Sequence, residues 1–241
     1  MIGIKRKLIE LEENNKKINV AIVGAGLMGK GLVSQMMLIK GMKPALVISN
    51  KISDAVEAYT LAGVPKEDIV IANNLSEINI ALERNKYVAC DNSGFAANAN
   101  LIDVVVDATG VPNAGAKIAV DSIENRKHII MLNVEADVVV GPVLNKMAKK
   151  AGVVYSGSAG DEPGAVMEIY DFAVATGFEV LAIGKGKNNP MDYDATPDSV
   201  REQALKSKLK PLRLSSFVDG TNTMVEMAAM ANATGFIPDI P

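Results

Sequence analysis

The chain has 241 residues, enough for one large domain or two modest ones, and 49% of them are hydrophobic, so a sizeable core is available. A formal net charge of −3 gives no electrostatic reason to expect a nucleic-acid partner or an anionic membrane. A single cysteine, Cys90, and a single histidine, His128, exclude an internal disulfide and a His/Cys zinc cluster and fit a reducing, cytoplasmic setting. The basic residues Lys5 to Lys7 are followed at once by Glu10, Glu12 and Glu13, unlike a signal peptide, and no apolar run approaches the length of a membrane span.

Ile4, Leu8 and Leu11 recur at helical spacing, which predicts an amphipathic first helix. Val20 to Val23 is a β-branched apolar run, as in a strand buried on both faces. It runs into Gly24-Ala-Gly26-Leu27-Met28-Gly29, and the apolar helix predicted behind it over 27–39 has Gly41 just past its end. Strand, G-x-G-x-x-G, helix is the dinucleotide fingerprint in its proper context. Gly24 permits the tight turn, Gly26 lets backbone approach a pyrophosphate, and Gly29 lets helix and strand pack closely. The helix start offers N–H groups and a positive dipole end to phosphates. Gly24, Gly26, Leu27, Met28 and Gly29 are therefore the expected pyrophosphate-binding segment.

A second strand is expected at 45–48, then a helix capped by Ser53. A third strand follows at 68–72, a helix capped by Ser76, and a short apolar run at 87–90. Residues 91–100 read as loop. The run D-V-V-V-D-A at 103–108 is a buried strand ending in Thr109-Gly110-Val111-Pro112, with the proline at the next helix start. His128 opens another strand and reads as structural. Alternating strands and helices at this density mean an α/β fold with a mostly parallel sheet.

Beyond Asp137 we expect a helix to Lys150, a strand at 153–156, a helix opened by Asp161-Glu162-Pro163, and a strand at 179–183 running into Gly184-Lys185-Gly186-Lys187. A charged helix at 198–209, an extended segment at 212–217 and a Met-rich helix opened by Asp219-Gly220-Thr221-Asn222 complete the chain. The expected division is a nucleotide-binding domain over 1–136 and a catalytic, oligomerising domain over 137–241.

At the tip of the second strand an NAD-binding unit places a carboxylate on the ribose hydroxyls. Here the tip is Ser49-Asn50-Lys51, with no acid until Asp54. Two neutral hydrogen-bonding groups and a cation suit a ribose phosphate, so NADP is the expected cofactor, with NAD as the alternative. Ligands of open parallel sheets lie at the carboxyl ends of the strands. Thr109, Gly110 and Pro112 would line the nicotinamide side, and Glu135, Asp161, Glu162, Lys185 and Lys187 follow later strands. Residues two apart on a strand share a face, so Lys185 and Lys187 point together. Two crowded ammonium groups favour an anionic ligand or a depressed pKa in one of them. Asp161 and Asp219 read equally well as helix caps, and Tyr155 and Tyr193 are possible acids without further support.

Four segments carry a resemblance: Asn133-Val-Glu135-Ala-Asp137, Ala159-Gly-Asp161-Glu162-Pro-Gly164, 184–190 (G-K-G-K-N-N-P) and 217–224 (F-V-D-G-T-N-T-M). With them the chain resembles, from Val20 to Pro241, the homoserine-dehydrogenase-like NAD(P)-dependent oxidoreductases that carry a C-terminal SAF domain, a family including deoxyxylulose-phosphate reductoisomerase-like enzymes. The resemblance implies a Rossmann domain binding NADP(H), a catalytic domain that helps hold subunits together in a homo-oligomer, and a substrate site lined by Lys185, Lys187, Glu135, Asp161 and Glu162. Members continue well past a segment like Phe236 to Pro241, which implies an incomplete second domain here. The expected activity is oxidation or reduction of a carbonyl or alcohol of a small anionic substrate, with homoserine or a sugar phosphate as candidates. The sugar-phosphate reaction would want a divalent metal, for which Glu135, Asp161 and Glu162 are conceivable ligands. The rival class is a catalytically silent nucleotide-sensing module, which has no need of the lysines.

Overall fold

The computed structural model describes residues 3–186, 190–207 and 209–239. The chain divides into two compact units, Met1–Gly157 and Ser158–Pro241. The boundary expected at 136/137 thus lies about one helix and one strand too early. Helix α7 (Val134–Ala151) crosses to strand β7 (Tyr155–Gly157), and β7 pairs with the sheet of the first unit, so both belong to it.

In chain order the first unit is α1 (Ile4–Glu13), β1 (Ile18–Val23), α2 (Leu27–Met36), β2 (Met42–Ile48), α3 (Ile52–Leu61), β3 (Ile69–Ile71), α4 (Leu75–Glu83), β4 (Tyr87–Cys90), α5 (Phe95–Asn98), β5 (Val104–Asp107), α6 (Pro112–Glu124), β6 (His128–Met131), α7 and β7. The strands form one sheet in the order β3-β4-β2-β1-β5-β6-β7, and every pairing is parallel. Alternate residues of each strand feed opposite faces. Val20 and Ile22 of β1 pack with Val33 and Met36 of α2 and with Ala55 and Tyr59 of α3, whereas Ala21 and Val23 pack with Ile78, Ile118 and Leu144 from α4, α6 and α7. Burial on both faces is why these strands read as unbroken apolar runs.

Some local expectations are corrected. The cap of α4 is Asn74, which accepts from the Glu77 N–H at 3.0 Å while the Glu77 carboxylate accepts from the Asn73 N–H at 2.8 Å; Ser76 lies inside the helix. Ser53 lies inside the first turn of α3, whose N-cap position is Lys51 with no side-chain cap bond. The stretch 91–100 contains the short helix α5. Helix α7 starts at Val134, with the Asn133 side chain accepting from the Ala136 N–H at 3.2 Å, so Glu135 and Asp137 both fall in its first turn.

Strand β2 contains Pro44, a residue that central strands rarely tolerate because it has no N–H. A bulge accommodates it: Val20 aligns with Pro44 but Ala21 with Leu46, leaving Ala45 as the extra residue. The fully buried Tyr59 then reaches over from α3, its hydroxyl within 3.0 Å of the Pro44 carbonyl and 3.1 Å of the Val88 carbonyl on β4. Burial raises its phenol pKa well above the ordinary value, so it stays a donor.

The second unit contains α8 (Glu162–Ala175), α9 (Arg201–Lys206), α10 (Pro211–Val218) and α11 (Thr221–Thr234). Its described core is small: Val200, Ala204 and Leu214, flanked by Ala195, Leu209, Phe217 and Val218, with Met230 of α11 also buried. Among its described residues there is no strand. The run 179–183 has strand-like composition but no ladder partner, and Leu181 is 83% exposed. The stretch 212–217 is helical: Pro211 occupies the first turn, and Leu214, Phe217 and Val218 stand at helical spacing. No helix among the described residues is long and apolar enough to cross a membrane.

Tyr59→Phe should remove a donor shared by two carbonyls and cost about 1 kcal/mol. That corresponds to roughly 2–4 °C in Tm for a domain of this size. A melting curve superimposable on wild type would show that the hydroxyl contributes nothing at the bulge.

Candidate functional site

Strand β1 lies between β2 and β5, so the chain winds outward from it in both directions and a crevice opens at the strands' carboxyl ends. The loop after β1 fills one wall. Gly24 has φ 107°, and a Cβ there would lie 2.5 Å from the Ala108 carbonyl oxygen at the exit of β5. Gly29, buried on α2, would drive a Cβ into the Gly24 carbonyl. Gly26 differs: its Cβ position meets nothing within 4 Å. It is the N-cap of α2, no side chain caps the helix, and the first turn holds no acid. Leu27 and Met28 beside it are exposed, 76% and 64%. Backbone N–H groups at such an uncapped helix start can receive an anion.

Around this crevice stand the other expected cofactor residues. Ser49, half-buried, donates its N–H to the Cys90 carbonyl at 3.1 Å, and Asn50 and Lys51 are exposed. Asp54, the first acid after the tip, lies 3.6 Å from the Lys30 ammonium, which also donates to Glu57 at 2.7 Å. Past β5, Thr109 is half-buried and Gly110 and Pro112 are exposed.

Asp107, which the sequence reading left out of the site, and Asn133, which it placed with Glu135 after the His128 strand, hold this side of the crevice. Asp107 is fully buried at the end of β5 and accepts from the Thr109 N–H at 3.0 Å and from the Asn133 amide at 2.9 Å. The same amide lies 3.1 Å from the Val111 carbonyl and 3.3 Å from the Thr109 hydroxyl. Asp107 and Asn133 therefore lace the loops after β5 and β6 together. Gly115 of α6 makes room, since a Cβ there would collide with both side chains. The signal was available: a strand reading D-V-V-V-D ends on a carboxylate whose burial demands partners.

His128 is structural, its Nδ1 accepting from the Val154 N–H at 3.0 Å. The Tyr155 hydroxyl donates to Asp137 at 2.5 Å; burial, then that bond, raises its pKa and makes it a poor proton donor.

In the second unit Asp161 caps α8, accepting from the Glu162 N–H at 3.1 Å. The Lys185 ammonium donates to Glu162 at 3.0 Å and to Glu226, and the Asn222 amide donates to Glu226 at 2.5 Å. Oxygens of Asp161, Glu162 and Glu226 all lie within 4.8 Å of one another. The group borders a cavity of about 590 Å³, with Glu162, Lys185 and Asn222 among its lining on the polar side and Leu214, Phe217 and Val218 on the apolar side. Burial, then the hydrogen bond with Glu162, pushes Asp161 up to about 6; hydrogen bonds from Asp161 and Lys185 hold Glu162 down at about 2. Burial pulls Lys185 down, but its bonds to Glu226 and Glu162 outweigh that and its pKa is raised.

These findings correct the lysine argument. Lys185 is not on a strand, so alternation does not pair it with Lys187, which lies outside the described residues. Its neighbours are carboxylates, and its pKa is raised instead of depressed. Of the expected site residues the second unit brings together Asp161, Glu162 and Lys185; Glu135 belongs to the first unit. Glu226 was missed, although it is the only charged residue in the apolar helix T-N-T-M-V-E-M-A-A-M-A-N-A-T.

Residues 160–241 match the family described as oxidoreductase DRL, catalytic domain. No curated protein matches the chain. Among solved structures, a probable dehydrogenase from Thermotoga maritima is similar at 15% identity and TM-score 0.50, over 88% of this chain and 55% of that one. The WlbA dehydrogenase from Bordetella pertussis, in complex with NADH and UDP-GlcNAcA, gives 14%, 0.48, 67% and 43%; S. aureus homoserine dehydrogenase gives 18%, 0.41, 60% and 33%. The chain thus spans between a third and just over half of these proteins. The likeness to the Thermotoga structure establishes a Rossmann-like α/β fold.

Gly29→Ala should lower the thermal midpoint of the first unit by several degrees, because backbone must move. Gly26→Ala should leave it unchanged within about 0.5 kcal/mol. Equal melting of the two variants would remove the distinction between a packing glycine and one kept for space.

Proposed function

We propose that the chain belongs to an NAD(P)-dependent oxidoreductase, the first unit holding the dinucleotide and the second the substrate. The observation that carries this is the open, uncapped start of α2 at Gly26, placed where the sheet's winding reverses. The match of residues 160–241 to an oxidoreductase catalytic domain supports it. The nicotinamide, when bound, supplies or accepts a hydride. Gly24 to Gly29 receive the pyrophosphate on backbone N–H groups, and Thr109 to Pro112, tied down by Asp107 and Asn133, border the nicotinamide side.

In the second unit Lys185 is kept protonated by its two carboxylates, so it serves as a hydrogen-bond donor to the reacting oxygen of a carbonyl or alcohol and not as a base. A small anionic substrate, homoserine-like, remains the reading from the sequence, with one of Lys185 and Lys187 binding its anionic part and the other acting at the reacting oxygen. A second reading, reduction of a sugar phosphate after skeletal rearrangement, is favoured by the meeting of Asp161, Glu162 and Glu226. Those three would hold a divalent cation, which would polarise the substrate's oxygen, in competition with the Lys185 ammonium. The lysine–carboxylate group bordering a cavity has no use in a silent nucleotide sensor.

Ser49, Asn50 and Lys51, exposed or half-exposed and without a carboxylate, favour NADP over NAD. Lys51→Ala should weaken NADPH binding about tenfold in a fluorescence titration, the worth of one charged hydrogen bond, and leave NADH unchanged. Equal wild-type affinities for the two would sink this preference. Lys185→Ala should lower kcat by ~10²-fold or more with cofactor affinity intact. Full turnover of that variant on both homoserine and deoxyxylulose phosphate, with and without added magnesium, would remove Lys185 from the chemistry.

A further inference from the structure

Glu226 stands out from its surroundings. It sits on α11, whose other residues are apolar or neutral, and it is 4% exposed. A carboxylate so placed is costly unless it is paired and hydrogen-bonded. Both of its oxygens are engaged: Oε2 accepts from the Lys185 ammonium and Oε1 from the Asn222 amide one helical turn earlier. Lys185 stands on an irregular segment with no ladder or helix to hold it, yet its side chain is only 17% exposed. Its second partner, Glu162, is itself half exposed and less constraining. The firm anchor for the lysine is thus the buried end of the pair. It lies on a regular helix, and its rotamer is fixed by a neighbour at i−4 on the same helix.

We propose that Glu226, held by Asn222, is the positioning residue that sets the Lys185 ammonium at the edge of the 590 Å³ cavity. The role of Lys185 toward substrate rests on the function proposed above; the positioning of its side chain by Glu226 does not. Glu226 acts through the lysine and does not line the cavity, whereas Asn222 and Lys185 do. The order of dependence is Asn222 to Glu226 to Lys185. Truncating Asn222 loosens the carboxylate, and neutralising Glu226 loosens the ammonium.

The test uses the full chain and two readouts. The first follows the order of the Lys185 side-chain nitrogen by NMR relaxation at one pH, its signal assigned by its loss in Lys185→Arg. In Glu226→Gln, which keeps size and removes charge, the order parameter should fall clearly toward that of an exposed lysine. Glu226→Asp, which keeps the charge, should recover most of that order, and Asn222→Ala should give a smaller fall. An unmoved order parameter in Glu226→Gln overturns the proposal, whatever the activity.

The second readout is turnover with NADPH. Glu226→Gln should lower kcat about tenfold or more, leave the KM for NADPH unchanged and be partly rescued by Glu226→Asp. A thermal shift without any change in kcat, in a protein whose Lys185→Ala variant is inactive, reduces Glu226 to a stabilising ion pair and also overturns the proposal. If Lys185→Ala turns over normally, the catalytic reading of the lysine falls, and the order parameter alone decides the role of Glu226.

Discussion

Backbone crowding at the exit of β1 is the constraint on which the first unit depends. The turn after the strand presses on the exit of β5, and α2 starts directly beneath it. Neither Gly24 nor Gly29 leaves room for a Cβ. Only with both glycines in place can α2 begin so close to the sheet that its first N–H groups face the crevice. The empty space at Gly26 then has a different meaning from the tight space at its neighbours: no described residue comes within 4 Å of its Cβ position. The lacing of Asp107 and Asn133 does for the other wall of the crevice what the glycines do for this one.

The second unit relies on a different force. Its described buried apolar residues are Val200, Ala204, Leu214 and Met230, and beside them stands a set of charges of which, among the described residues, Glu226 is the buried one. Lys185 and its two carboxylates leave an excess of negative charge; burial, together with that charge, holds Asp161 up to about 6. That balance differs from the cationic patch that a pair of lysines suggests, and it makes Lys185 a pinned donor.

Much of the first unit was legible in the sequence because fully buried parallel strands are written as β-branched runs, as at Val20 to Val23 and Val104 to Val106, and because Gly and Pro mark the turns between them. Its glycine motif was legible since Gly24 and Gly29 each answer a backbone need. The second unit was less so. Composition at 179–183 favours a strand, but a strand exists only with a partner, which local sequence does not reveal. At 212–217 the stretch is too short to display the helical spacing that Leu214, Phe217 and Val218 complete. Lys185 was found for a reason that does not hold, the side-to-side alternation of a strand. Its true partner, Glu226, lies 41 residues away and meets it only through folding.

The ends of the sheet have a consequence of their own. Its outermost strands, β3 and β7, are three residues each, flanking a centre of six and seven residues in β1 and β2. An incoming strand would find little open ladder to extend, so the sheet resists growth by edge-to-edge addition. The bulged, proline-bearing β2 is thus kept in the interior of a sheet that cannot readily be lengthened.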